Sequence, residues 1–227
     1  MLGEILANFR LRTMNKSCMK LARKFYTRDD TLAVARELLG KLLVTVDEKG
    51  RRVSAMIVET EAYLGIEDRA AHSYGGRRTP RNEVMYGRAG HVYVFFVYGM
   101  YNQFNVVTGP LDHPHAILIR AVEPVEGIEI MRLRRDKKKS KPGAIATGRL
   151  QDKNLTSGPG KLCIAMNIDR SLNCADLSGD KVWLENYRSF NDDQIAVGKR
   201  IGIDYAGEDA HLPLRFWVKD NIFVSRK

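Results

Sequence analysis

Cysteine is scarce: Cys18, Cys163 and Cys174 are the only three in 227 residues. They form no CxxC pair and no Cys/His cluster, which excludes a disulfide-stapled scaffold and argues against a zinc site. A chain with so few thiols is expected in a reducing, intracellular compartment. Long apolar runs are missing too, so no stretch approaches the roughly 20 residues that cross a bilayer as a helix. The N-terminal stretch is basic, but Glu4, Asn8, Arg10 and Arg12 interrupt its apolar residues and leave no secretory h-region. Acidic residues are also in deficit. Against 37 Lys plus Arg there are 27 Asp plus Glu, a formal net charge of +10 and a pI near 9.6. Such an excess attracts polyanions and is the footprint of nucleic-acid binding, although a basic protein without such a partner carries it equally well.

What is present suits one globular domain. Hydrophobic residues make up 44% and charged residues 28%, enough apolar content for a single core at this length. Asp29 and Asp30 are placed to cap a helix through Leu32, Ala35, Leu38 and Leu39, which Gly40 ends. Lys41–Val46 and Val53–Tyr63 read as strands around the turn Asp47–Gly50, and Leu64–Pro80 as loop with at most a helical turn. His91–Val97 and Gln103–Val107 flank Tyr98-Gly-Met-Tyr101 as a β-hairpin. Ala116–Val122 reads as a strand, Pro124–Arg135 as a helix, and the charge run Arg132–Lys141 as solvated loop. A short helix is expected over Leu162–Met166, and strands over Val182–Glu185, Ile201–Asp204 and Leu214–Val218. The pattern is that of an α+β domain with an antiparallel sheet.

Four places carry residues that chemistry can use. In Val58-Glu-Thr-Glu-Ala-Tyr63 the period of two puts Glu59, Glu61 and Tyr63 on one face, with Val53, Ala55 and Ile57. Two carboxylates on an apolar face either pair with arginines or serve as a general base whose pKa burial raises. In the hairpin, Phe96 is expected to be core, whereas Tyr98 beside the Gly-Met turn can wedge between stacked bases or fold back. Arg120 interrupts the apolar strand Ile117-Leu-Ile-Arg-Ala-Val122, and a buried arginine needs an anion such as those glutamates. Gly158-Pro-Gly-Lys161 can cradle a phosphate at a helix start; it is not a Walker A loop, since Leu155 and Leu162 stand where Gly and Ser/Thr belong. His72, taken alone, can stack, donate a hydrogen bond or cap a loop.

In their order these segments resemble the alkyladenine (3-methyladenine) DNA glycosylase family. The resemblance is carried by Val58-Glu-Thr-Glu-Ala-Tyr-Leu-Gly65, Ala70-Ala-His-Ser73, Thr79-Pro-Arg-Asn82, Tyr98-Gly-Met-Tyr101, Leu118-Ile-Arg-Ala121, Ser157-Gly-Pro159 and Pro213-Leu-Arg-Phe216. It runs from about Phe25 nearly to the C-terminus and leaves residues 1–24 as a loose extension before a domain of residues 25–227. It implies a curved antiparallel sheet with peripheral helices and a protruding hairpin. It also implies hydrolysis of the N-glycosidic bond of alkylated or deaminated purines flipped from double-stranded DNA. On that likeness Glu61 is the general base, with Arg120 and the carbonyl of Ile201 holding the attacking water. Tyr63 and His72 sandwich the base, Asn105 meets its edge, and Tyr98 fills the gap in the stack. Phe95 departs from the family, which often has a tyrosine there; the ring face survives and the hydroxyl does not. Arg77, Arg78, Arg81 and Lys161 are the candidates for backbone phosphates. Neither cofactor nor metal is implied, no membrane, and a monomer is expected.

Two other classes stay open on residues alone. A nucleic-acid-binding module without chemistry would use the same basic surface and aromatic tip, but gains nothing from a carboxylate that repels phosphate. A sugar glycosidase could be built on Glu59 and Glu61, though net charge and hairpin speak against it.

Overall fold

The computed structural model describes residues 19–47, 49–97, 99–139 and 152–226. Asp30 caps α1 (Thr31–Glu37) by accepting the Ala33 amide at 2.9 Å, a contact worth about 1 kcal/mol. Val34 and Ala35 face the core, and the helix gives way at Gly40. There φ is +87°, and a Cβ would stand 2.5 Å from the Arg188 carbonyl oxygen, so only glycine fits.

Among the described residues eight strands form one antiparallel sheet: β1 (Leu42–Val46), β2 (Arg52–Tyr63), β3 (Val92–Val97), β4 (Tyr101–Thr108), β5 (His115–Glu126), β6 (Val182–Glu185), β7 (Ile195–Gly198) and β8 (Arg215–Val218). The main path runs β3-β4-β5-β2-β1-β6, with β8 pairing both β2 and β7. The sheet curves as a half-barrel and, with its helices, makes an α+β domain. Strand β2 is the axis. One of its edges pairs with β5 throughout, while the other pairs first with β1 and then, from Glu59 to Glu61, with β8. The core lies under β1, β2, β5 and β6, covered by α1, by α2 (Ile128–Lys139) through Met131, and by α3 (Pro159–Met166).

Four expectations are corrected. Pro124 does not open a helix: β5 continues to Glu126, and Pro124 stands beside the register shift opposite Ser54 and Ala55, where the missing N–H costs no regular ladder bond. Gly127, at φ +73°, then turns the chain into α2. That helix extends through the charge run to Lys139, because its inner side buries Met131 and Arg135; residues 140 and 141 lie outside the described residues. Ile201–Asp204 is not a strand. Its place in the sheet is taken by β7, and the Ile201 amide bonds a carboxylate instead of a neighbouring strand. Phe96 is not core: among the described strands β3 pairs with β4 alone, its other edge bonding the 173–175 segment at Val92 and Val94, and Phe96 stays 43% exposed.

The expected N-terminal extension falls mostly outside the described residues. Its last part packs on the domain, with Lys20 bridging Glu185 and Leu21 buried in the core.

Candidate active site

The β2–β5 ladder shifts register on both sides of Glu59, passing over Val58 on one strand and Arg120 on the other. Such bulges re-aim side chains and break a strict period of two. Beyond them Glu61 and Tyr63 share a face, since the Tyr63 hydroxyl donates to Glu61 Oε2 at 3.0 Å. Thr60 points the opposite way, to the Ala35 carbonyl.

The two glutamates, both fully buried, are treated very differently. Glu59 is saturated. Its Oε1 accepts from Arg120 Nε at 3.2 Å, Arg215 Nη1 at 2.9 Å and Ser225 Oγ at 3.0 Å, and its Oε2 from the Ser225 amide at 2.7 Å. Glu61 Oε1 accepts the Ile201 amide at 2.8 Å and lies 3.3 Å from Arg120 Nη1. Glu61 Oε2 meets only Tyr63, which leaves it a lone pair. Burial drives the Glu61 carboxyl above its ordinary range. Arg120, the Ile201 amide and Tyr63 oppose that rise, and Glu59 reinforces it. Burial also pushes the Tyr63 phenol up, so it remains a donor.

In front of this group is a cavity of about 370 Å³ lined by Tyr63, His72, Phe95, Asn105, Arg120 and Ile201 among others. Glu61 itself lies behind the lining, and the three residues that touch it (Tyr63, Arg120 and Ile201) all belong to the wall. His72 Nδ1 meets the Tyr93 hydroxyl at 2.8 Å, and its ring packs edge-on against Phe95 at 4.5 Å. Burial, then the charges of Arg81 and Arg77, lower His72 to about 4, so the imidazole is neutral near pH 7. The Asn105 amide is pinned, its Nδ2 donating to the carbonyls of Tyr93 at 3.1 Å and Gln103 at 3.4 Å. The wall suits a flat aromatic ligand.

The basic candidates differ in how far they are committed. Arg77 is exposed and makes no ion pair among the described residues, whereas Arg78 is held by Glu83 and Asp112 over the Tyr86 ring. Arg81 lies 5.4 Å from the Phe95 ring centroid. Lys161 Nζ donates to Ser157 Oγ at the start of α3. Tyr98 lies outside the described residues; beside it Phe96, Met100 and Tyr101 leave the hairpin end apolar and exposed. Sequence reasoning missed Arg215 and Ser225 as partners of Glu59, and the pair Asp68–Arg200. Arg215 carried the signal that exposed Arg120, a lone charge within an apolar strand. Arg200 and Ser225 had none.

Comparison with known proteins agrees with this geometry. The profile of the methylpurine-DNA glycosylase family matches residues 24–222. A protein of Desulfitobacterium hafniense is 54% identical over 92% of this chain and 99% of its own length. One of Clostridium acetobutylicum is 51% identical over 91% and 98%, and one of Bacillus cytotoxicus 47% identical over 92% and 100%. All three are named as candidate 3-methyladenine DNA glycosylases. The chain belongs to the methylpurine-DNA glycosylase family. It is a DNA repair enzyme, a hydrolase whose substrate is DNA.

Proposed function

We propose that this enzyme flips 3-methyladenine and related alkylated or deaminated purines out of double-stranded DNA and hydrolyses their N-glycosidic bond with an activated water. The observation that carries the reading is Glu61, a buried carboxylate of raised pKa with one lone pair open, set directly behind an aromatic cavity. A base inside the duplex cannot present its glycosidic bond, so it must leave the stack first, and damaged bases leave at lower cost. Tyr63 and His72 then enclose the ring, with Phe95 behind His72. Neutral His72 spares an alkylated, cationic purine any repulsion, and alkylation makes that purine the better leaving group. Glu61 Oε2 takes a proton from the water as it attacks the anomeric carbon, and Arg120 steadies the charge. No lysine lines the cavity among the described residues, in keeping with water as nucleophile and no strand cleavage.

The hairpin end enters the vacated space with Tyr98 as wedge. Arg77, Arg81 and Lys161 face phosphates, and Arg78 does so only by releasing its carboxylates. The enzyme acts as a monomer on intracellular DNA. A sugar glycosidase needs a second working carboxylate, and Glu59 is held in ion pairs with Arg120 and Arg215 and bonded by Ser225. The test is release of free base from duplexes that each carry one lesion (3-methyladenine, 7-methylguanine, hypoxanthine or ethenoadenine). Base release that leaves an abasic but unbroken strand is expected. Release from none of them, or concerted strand cleavage, overturns the reading.

Asn105 is proposed as the gate against guanine. Its two carbonyl partners stop it from swinging aside, so a purine amino group on the sugar-edge side collides with it. Specificity then comes from a penalty on the wrong base. Asn105→Ser is expected to gain release of unmodified guanine, or of guanine opposite thymine, and to keep hypoxanthine release. A chromatographic assay decides; lost hypoxanthine release with guanine untouched makes Asn105 an attractive contact or a brace for the hairpin.

A further inference from the structure

The chemistry proposed above leaves a second buried ion pair unused. Arg200 and Asp68 have side-chain exposures of 0% and 3%. Their contact is two-pronged, Nη1 to Oδ2 at 2.5 Å and Nη2 to Oδ1 at 2.8 Å. Arg200 Nη1 also donates to the Ala62 carbonyl at 3.0 Å, and its guanidinium lies 4.8 Å from the Tyr63 ring centroid. Asp68 accepts the amides of Leu64 at 3.0 Å and Ala70 at 2.9 Å.

One pair thus ties together three segments that meet at the cavity: the end of β2 with Tyr63, the loop that leads to Ala70 and His72, and the turn of Arg200 and Ile201. Ile201 is the next residue after Arg200, and its amide is the one on Glu61 Oε1 at 2.8 Å. Stability alone is a poor account of such a pair, since well-packed apolar residues commonly do as well or better in its place. The Arg200 Nε is moreover buried without a partner, an unreturned desolvation cost. What apolar residues cannot supply is the planar fork that fixes two backbone segments at one angle.

We propose that Arg200, clamped by Asp68, is a positioning residue of this glycosylase: it keeps the Ile201 amide on Glu61 and holds the Tyr63 ring as a wall of the base pocket. The proposal rests on Glu61 as the base. Loosening the clamp leaves the cavity and the DNA surface in being, but shifts base and pocket wall relative to each other. The groups that face Glu61 are Arg120, Tyr63, Glu59, the Ile201 amide and, at longer range, Arg200. Losing the amide bond removes a stabiliser of the carboxylate.

The experiment compares wild type with Arg200→Lys, Asp68→Asn and Glu61→Gln. Single-turnover base release is followed across pH, affinity for an abasic duplex is measured, and rates are counted per folded molecule. Arg200→Lys and Asp68→Asn are expected to slow base release by up to roughly 10²-fold, the scale of a misplacement of about 1 Å. Abasic-duplex affinity should persist, and the acid limb of the pH profile should move upward. Wild-type rates with an unmoved acid limb in the folded variants overturn the proposal, as does a rate loss that leaves the limb in place. If both clamp variants fail to fold, the pair is a stability element and the proposal is also overturned. Should Glu61→Gln remain active, it is the assignment of the base that fails. Should it be inactive while both clamp variants work normally, only the clamp fails.

Discussion

Glu61→Gln is expected to abolish base release while leaving lesion binding in place. Gln keeps the shape, accepts the Ile201 amide, and cannot take a proton from water, so a fall of roughly 10²–10⁴-fold follows from losing a general base. The pH profile provides the companion result. Burial raises the Glu61 carboxyl above its ordinary range, so the wild-type rate should decline with falling pH at a higher pH than a free glutamate would give. The variant's residual rate should lack that limb. Stability should move the other way. A carboxyl whose folded pKa lies above its unfolded value contributes stability below the unfolded pKa and loses it as pH rises through the folded one. Wherever Glu61 is ionised in the folded protein its charge is therefore a burden, and the neutral amide should fold as well as the wild type or better. Single-turnover kinetics and urea unfolding on the same preparation check both halves. Full turnover by Glu61→Gln would refute its role as base.

Glu59→Gln, two residues away, should do the opposite. Glu59 is the common anion of Arg120 and Arg215 and also accepts both hydrogen-bonding groups of Ser225. Replacing it by a neutral amide leaves buried Arg215 without its carboxylate and Arg120 with Glu61 alone, and Gln brings an NH2 where only donors converge. The expected loss is about 3–5 kcal/mol, as for one partner removed from a buried pair. It should show as a lower urea midpoint with an unchanged slope. Base release per folded molecule should fall far less than in Glu61→Gln. A stability change within about 0.5 kcal/mol, the range of ordinary surface substitutions, would mean that Glu59 is not the structural anion that its contacts describe.

Chemical type and local pattern were legible in the chain before it was folded. Helix α1 announced itself through Asp30 and the spacing of its apolar residues, and the hairpin through Gly99-Met100 between two apolar runs. The carboxylates of β2 and the lone arginine of β5 stood out because a charge in an apolar strand must have a partner. Glu61, Arg120, Tyr63, His72, Phe95 and Asn105 were all nameable on the sequence, chiefly by likeness to a family, and the structure brings them around one cavity. Where a strand ends is less legible. Pro124 looked like a helix start because the bulge that tolerates it depends on Ser54 and Ala55, some seventy residues earlier.

A basic α+β protein with few cysteines, paired glutamates and an aromatic hairpin can be read from the residues alone. Those traits depend on residue type and on spacing over a few positions. That Glu59 and not Glu61 is held by a second arginine and by Ser225 depends on the fold, because Arg215 and Ser225 arrive from the far end of the chain. The exposure of Phe96 depends on the fold as well, since β3 ends the path of the sheet and no other described strand lies beyond it. The Asp68–Arg200 clamp belongs to the same kind: 132 residues separate the partners, and no local pattern records a contact made across that distance.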